Sequence, residues 1–274
     1  MSERSNSMAA SKGFSLVEIA VVLVILTILL AVTAIPLATQ INQRRISETQ
    51  RLLDLANQAL IGYASANGRL PCPATDGLLI GTVNSLGDER FATGGNASNG
   101  QCEFWVGFLP AVALGLSPVD DEGFMLDGWG TKQNRIRYAV WGNSVIPDYS
   151  FTKTDGIKIA TTSVLAATTK KLLFVCQSAP TGVPLPTSIV TGAANVCGTS
   201  VKLTDKAPTV VYSLGANAAT GGIGADELHN VNQDFVFVSH TATSAGSAQG
   251  EFDDSVSWMS LNILFNSMQN AGRL

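Results

Sequence analysis

Residues 14–39 read FSLVEIAVVLVILTILLAVTAIPLAT and contain one ionisable side chain, that of Glu18. A helix of about 20 apolar residues can cross a bilayer, so this stretch predicts a membrane-spanning segment. It is longer than the apolar region of a secretory signal peptide, which has about 7 to 15 residues. A carboxylate within such a span is costly and therefore indicates a functional partner.

The chain as a whole has the composition of a folded, loop-rich protein. Of its 274 residues, 46% are hydrophobic and 14% are charged, whereas a typical soluble domain has about 25% charged residues. Lys and Arg number 17 against 21 Asp and Glu, which gives a formal net charge of -4. The basic footprint of a nucleic-acid-binding protein is therefore missing, and we expect no nucleic-acid partner unless Lys132, Arg135 and Arg137 form a local basic patch.

The segment KGFSLVE, residues 12–18, resembles the processing site of type IV pilins and of type II secretion pseudopilins. In that family a polar leader ends in Gly, an aromatic residue follows, and Glu is the fifth residue of the mature chain. The resemblance implies that prepilin peptidase removes residues 1–13 by cutting between Gly13 and Phe14. It also implies that the new amino terminus of Phe14 is methylated.

Glu18 and the amine of Phe14 place opposite charges in or beside lipid, where neither is favourable alone. Packing of several copies lets Glu18 of one subunit face the amine of another, and the resemblance implies that this contact serves filament assembly. The alternative, in which Glu18 extends to the membrane interface, is disfavoured by its short side chain. Pro36 lies one residue beyond the usual position of a family proline and predicts a kink or a melted turn.

The pattern beyond Thr39 changes from apolar to amphipathic. We predict one long helix over residues 14–67, with its apolar half at 14–39, and we expect Gly68 to end it. Its second half places apolar residues at helical spacing, namely Leu52, Ala56, Ala59 or Leu60, and Tyr63.

Residues 68–274 form the predicted globular body. Short runs rich in β-branched and aromatic residues predict five strands, at residues 135–141, 171–176, 209–214, 234–239 and 255–259. Residues 261–271 predict a closing helix. A mainly antiparallel sheet with the long helix on one face and a C-terminal helix gives an α+β fold.

Four cysteines indicate an oxidising compartment. Cys72, Cys102, Cys176 and Cys197 allow three disulfide connectivities, and sequence proximity favours Cys72 with Cys102 and Cys176 with Cys197. A zinc site is the alternative, but the chain has no CxxC pair.

Residues 127–130 read DGWG and resemble the Asp-x-Trp-Gly turn in the soluble domains of major pseudopilins and of several pilin-like proteins. Gly128 and Gly130 permit a tight turn, Asp127 can accept backbone hydrogen bonds, and Trp129 can fill the gap between helix and sheet. We expect this turn to be structural.

Two acidic groups are candidates for calcium, an ion that some pseudopilins bind. The first is Asp120, Asp121 and Glu122, together with Asp127, and the second is Glu251, Asp253 and Asp254. Neither has the spacing of an EF-hand loop, so solvated loops without a cofactor are the expected state, and calcium is the alternative.

Sequence motifs of catalysis are missing. The chain has no GxSxG elbow, P-loop, HExxH or GxGxxG after a strand, so we expect no enzymatic activity. The resemblance instead implies a structural subunit whose partners are prepilin peptidase and other pilin subunits. The large body, residues 68–274, favours a minor pilin. The alternatives are a pseudopilin that drives protein export by type II secretion and a filament-tip adhesin or DNA-uptake subunit.

The side of the membrane on which the leader is processed determines the expected location of the protein. Arg44 and Arg45 would favour a cytoplasmic position for the end of the apolar segment. The leader must itself be cytoplasmic for processing, however, so the resemblance places the precursor in the bacterial inner membrane with its body in the periplasm. After assembly we expect an extracellular pilus or a periplasmic pseudopilus.

Overall fold

The apolar and amphipathic patterns belong to one helix, α1 (Leu16–Asn67). The computed structural model describes residues 13, 15–77, 86–142, 150–161, 172–181, 196–222 and 224–274, and at residues 31–38 it describes the backbone alone. The backbone is helical through position 36, without the melted turn that Pro36 predicts. Gly68 follows the helix with a φ of 71°, a conformation that glycine adopts without strain, and its amide donates to the Ala64 carbonyl.

The chain divides into two compact units, Met1–Arg44 and Arg45–Leu274. The first unit contains the apolar part of α1. The second contains the rest of α1 together with both β-sheets and the shorter helices.

An antiparallel sheet of four strands forms one layer of the second unit. Its strand order is β1 (Val106–Phe108), β2 (Arg137–Val140), β5 (Thr209–Ser213) and β7 (Ser255–Trp258). β5 is buried along its whole length, which explains why Val210, Val211 and Tyr212 follow one another without the alternation of a half-exposed strand.

A second sheet has three strands and a mixed direction. β3 (Leu173–Cys176) lies at its centre, between β4 (Lys202–Ala207) and β6 (Val236–Val238). β3 pairs antiparallel with β4 and parallel with β6. Since both neighbours cover its edges, β3 can be apolar and buried throughout.

Within the described residues there are three shorter helices, α2 (Gly156–Ala160), α3 (Ala225–Val231) and α4 (Leu261–Asn270). A single turn of 3-10 helix spans Lys132–Asn134. α4 buries Leu261, Leu264, Phe265 and Met268, which recur at the spacing of one helical face.

The main core lies between the second half of α1 and the sheets. Its helix residues are Leu52, Leu53, Ala56, Leu60 and Ala64, and it includes buried residues of β2, β3 and β5. The side chain of Asn57 adds a polar contact, because its Nδ2 donates to Ser257 Oγ on β7 at 2.9 Å. Of the two candidates at the third helical position, Leu60 is buried and Ala59 is partly exposed.

The predicted α+β class, the long first helix and the closing helix are confirmed, and all five predicted strands have a counterpart. The mainly antiparallel pairing is also confirmed, since four of the five strand pairs among the described residues are antiparallel. The prediction of a single sheet is wrong, because the described strands include the additional β1 and β4 and form two sheets. β4 was not predicted because its sequence KLTDKA is polar. Its first residues are exposed, which is typical of an edge strand.

Replacing Leu60 by Ala should lower the free energy of unfolding of the body by about 2–5 kcal/mol, since Leu60 is fully buried in the core. The matched control is Gln58→Ala, an exposed position on the same helix, which should change stability by less than about 0.5 kcal/mol. Denaturant unfolding of the full chain in detergent measures both. Equal stability of the two variants would contradict the packing of α1 described here.

Candidate functional site

The N-terminal motif lies at the start of α1. Gly13 is exposed, and among the described residues no heavy atom lies within 4 Å of the position that a Cβ would take there. Phe14 lies outside the described residues. Glu18 is exposed in the first turn of α1.

The first turns of α1 expose large apolar side chains on every face of the helix. Their exposed fractions range from 47% at Ile19 to 86% at Leu16. The set is Leu16, Val17, Ile19, Val21, Val22, Leu23, Val24, Ile25, Leu26, Ile28, Leu29 and Leu30. The hydroxyl of Thr27 donates to the Val24 carbonyl at 2.8 Å, so this polar group is satisfied within the helix. A helix that is apolar all round requires a protein or lipid environment.

Among the described residues, no helix combines the length and the apolarity that crossing a membrane requires. The predicted span, residues 14–39, includes Phe14 and the side chains of residues 31–38, which lie outside the described part of the chain. The side chain of Pro36, a predicted assembly residue, therefore also lies outside the described part of the chain.

The buried side chain of Asp127 holds the DGWG turn through hydrogen bonds. It is 5% exposed, and its Oδ1 accepts the Trp129 backbone N–H at 2.8 Å. Its Oδ2 accepts hydrogen bonds from Asn134 Nδ2 at 3.0 Å and from Ser213 Oγ at 2.5 Å, which join the turn to β5. Burial raises the pKa of Asp127, although these hydrogen bonds act in the opposite direction.

Gly128 attaches the turn to α1. Its backbone N–H donates to Thr49 Oγ1 at 3.0 Å, and the Thr49 hydroxyl in turn donates to the Arg45 carbonyl at 2.9 Å. A Cβ at position 128 would collide with that same carbonyl oxygen. The turn can therefore lie this close to the helix only with glycine at this position. Thr49, which is fully buried, was not identified from the sequence because its neighbours are polar.

Trp129 does not have the expected position. It is partly exposed and is not among the core residues that lie between α1 and the sheets. The close contact with the helix is made by the backbone of Gly128 instead. The DGWG turn is thus a fixed corner, as the sequence predicts, but a glycine rather than the indole makes the contact.

The segment after α1 is held by a disulfide and an ion pair. Cys72 is bonded to Cys102. Arg69 makes two hydrogen bonds to Glu89, at 2.7 and 2.6 Å, and Glu89 also accepts one from the Tyr63 hydroxyl at 3.0 Å. The segment around Glu89 is therefore tied to the end of the helix.

Cys176 at the end of β3 is bonded to Cys197. Both disulfides have the pairing that sequence proximity favours, and each cross-link restrains the unfolded chain by about 3 kcal/mol in the loop-entropy model.

The first acidic group has cationic partners. Arg135 contacts Asp120 at 2.7 Å and Glu122 at 2.7 Å, and Lys132 contacts Glu122 at 2.7 Å and Asp121 at 3.2 Å. Hydrogen bonds from Lys132 and Arg135 lower the pKa of Glu122. Because Lys132 and Arg135 are neutralised in this way, they do not form a basic patch with Arg137.

The second acidic group differs from the sequence prediction in one member. Asp253 and Asp254 lie beside Glu227 of α3, and ligand oxygens of these three residues lie within 4.8 Å of one another. Burial raises the pKa of Asp254 to about 8 and that of Asp253 to about 6. Glu227 was missed because the fold, and not the sequence, brings it next to the two aspartates.

A family model described as the prokaryotic N-terminal methylation motif matches residues 8–34. The match confirms the resemblance seen at residues 12–18 and supports a protein of the type IV pilin and pseudopilin family. Comparison with curated proteins and with solved structures gave no significant match. Proteins with this motif are structural rather than enzymatic, and the motif implies a membrane-anchored precursor, processing by prepilin peptidase and assembly with other pilin subunits.

Gly128→Ala should destabilise the body, because the added methyl group must displace the Arg45 carbonyl or break the hydrogen bond to Thr49. We expect a loss of about 1–3 kcal/mol in the free energy of unfolding, the usual cost of overpacking. The matched control is Gly62→Ala on α1, where a Cβ meets nothing within 4 Å. That change should stabilise the protein by about 0.5–1 kcal/mol. A Gly128→Ala variant as stable as the parent chain would contradict the close approach of turn and helix.

Proposed function

We propose that the protein is a minor pilin, a structural subunit of a type IV pilus or a pilus-like filament. The observation that carries the proposal is the exposed, all-round apolar start of α1, with Glu18 in its first turn and the methylation motif around it. Such a surface requires cover from lipid before assembly and from other subunits afterwards.

Maturation begins at the leader. Prepilin peptidase removes residues 1–13 and methylates the amine of Phe14, after which residues 14–39 hold the subunit in the inner membrane. The body, residues 68–274, then lies in the periplasm. The two disulfides support this placement, since disulfides persist in oxidising compartments outside the cytoplasm.

Assembly pairs two charges that are unfavourable alone. Glu18 of one subunit meets the amine of Phe14 of a neighbour, so that each charge is neutralised as both leave water. The surrounding apolar side chains of the two helices pack at the same time, and their burial favours association. No cofactor is needed for this process, because it consists of helix packing and charge pairing.

A pseudopilin of a type II secretion system is the second candidate function. The DGWG turn favours it, since this turn resembles the one in the soluble domains of major pseudopilins. A DNA-uptake role has less support, because Lys132 and Arg135 are paired with acidic side chains.

Replacing Gly13 by Leu should block maturation, because the peptidase recognises the small residue before the cut. The variant should accumulate as a precursor that is larger by residues 1–13, which gel electrophoresis of membranes from the native host detects. Ala10→Leu is the matched control, since it places the same side chain three residues upstream and should be processed normally. Normal processing of Gly13→Leu would contradict the proposed cleavage site.

Glu18→Ala should permit cleavage but reduce incorporation into filaments by more than about tenfold, since breaking a buried charge pair costs about 3–5 kcal/mol. Immunoblots of sheared filaments and of membranes give the ratio of assembled to unassembled subunit. Glu48→Ala is the matched control, because it removes an exposed carboxylate farther along the same helix. Unchanged incorporation of Glu18→Ala would rule out the charge pair as the assembly contact.

A further inference from the structure

The first charged side chains after the apolar half of α1 are two adjacent arginines. Between Glu18 and Arg44 the sequence contains no Asp, Glu, Lys or Arg, and Arg45 follows directly. All residues in the range 39–45 are exposed. Two positive charges at the periplasmic end of a span oppose the usual bias of basic residues toward the cytoplasm, so in that location they require an anion that stabilises them.

Neither guanidinium has a partner within the described part of the chain. Glu48, one helical turn away, is paired with Arg51 at 2.6 Å. The other six described arginines each contact an acidic side chain, a hydroxyl or a backbone carbonyl: Arg51 contacts Glu48, Arg69 contacts Glu89, Arg90 contacts Glu103, Arg135 contacts Asp120 and Glu122, Arg137 contacts Tyr212, and Arg273 contacts the Ser65 carbonyl. Arg44 and Arg45 are therefore available to a negative group outside the chain.

The distance of these arginines from the apolar segment matches the lipid headgroup layer. Arg44 and Arg45 are five and six residues beyond Thr39, which is about 7.5 and 9 Å along the helix axis. The headgroup layer extends about 5–8 Å beyond the hydrocarbon core on each side. Since side chains on a helix lean toward its N-terminus, both guanidinium groups are directed back toward that layer.

Trp129 adds an aromatic side chain close to the same part of the helix. It follows Gly128, whose backbone lies against the carbonyl of Arg45, and it is partly exposed instead of buried in the core. Tryptophan is enriched where membrane meets water, because its ring is apolar and its indole N–H is polar. An interface with lipid therefore accounts for an exposure that packing within the body does not.

We propose that Arg44 and Arg45 bind the phosphate groups of anionic phospholipids in the periplasmic leaflet of the inner membrane, with Trp129 at the same interface. This inference rests on the proposed function, since it requires residues 14–39 to lie in the membrane. The contact holds the body at a fixed level above the bilayer until the subunit joins a filament.

The chemistry of the two side chains favours this ligand. The planar guanidinium donates two parallel hydrogen bonds to a phosphate, and it keeps its charge at any physiological pH. Anionic headgroups surround the subunit as soon as it is inserted, whereas acidic side chains of a neighbouring subunit become available only on assembly. Each arginine near an anionic surface should favour binding by about fivefold.

The test measures which phospholipid the full chain retains in a neutral detergent. With equal amounts of phosphatidylglycerol and phosphatidylcholine, native mass spectrometry should show a preference of about 25-fold for the anionic lipid. The double variant Arg44→Gln and Arg45→Gln should retain both lipids nearly equally. Arg51→Gln is the matched control and should keep the preference, because it removes an arginine of the same helix that already has a carboxylate partner.

Flotation with vesicles of phosphatidylcholine alone separates this inference from the proposed function, since it depends on the apolar half of α1. A parent chain that floats but retains both lipids equally would overturn the lipid site and leave the proposed function intact. A double variant that keeps the preference would have the same consequence. A parent chain that does not float with vesicles would overturn both.

The position of Trp129 has its own readout. The fluorescence of the parent chain minus that of Trp129→Phe isolates the emission of this side chain. In vesicles, a phospholipid with a spin label on its headgroup should quench that emission. Unquenched emission would overturn the placement of the turn at the lipid interface.

Discussion

Contact of water with the exposed apolar side chains between Leu16 and Leu30 is unfavourable. This constraint determines which environments the subunit can occupy. The side chains surround the helix, so no single neighbouring element of the same chain could cover them. Removing that surface from water favours insertion into lipid or packing against other copies. Glu18 lies in the first turn of the same helix, and a carboxylate removed from water is stable only beside a positive group.

The same helix has a different environment at its other end. From Thr49 onward α1 is an ordinary amphipathic helix whose apolar face lies in the core with β2, β3 and β5. The DGWG turn fixes that part of the helix through the hydrogen bond from Gly128 to Thr49. One continuous element thus belongs both to a surface that requires partners and to a body with a complete core, which is the property a filament subunit needs.

Much of this organisation could be predicted from the sequence, because hydrophobic period and motif spacing are local properties. The helix, its two contrasting halves and the disulfide pairs follow from residues close together in the chain. β4 could not be predicted, since its polar sequence KLTDKA forms an edge strand only because β3 is beside it. The parallel pairing of β3 with β6 likewise depends on tertiary structure.

The candidate sites likewise include residues that are contiguous in the sequence and residues that only the fold brings together. The motif around Gly13 and Glu18 is contiguous and was identified directly, and the family comparison confirms it. Thr49 and Glu227 were missed, because each gains its role from a residue far away in the sequence, Gly128 for the first and Asp253 for the second. Trp129 was assigned a packing role from its size, whereas the fold uses the absence of a side chain at Gly128.

Mass spectrometry of the native N-terminal peptide tests the central claim most directly, since it reports the cut site and the methyl group together. The protein isolated from its host should yield a peptide that begins at Phe14 and carries one methyl group on its amine. A native chain that retains residues 1–13, or that begins at another residue, would contradict the account of processing and of the charge pair that depends on it.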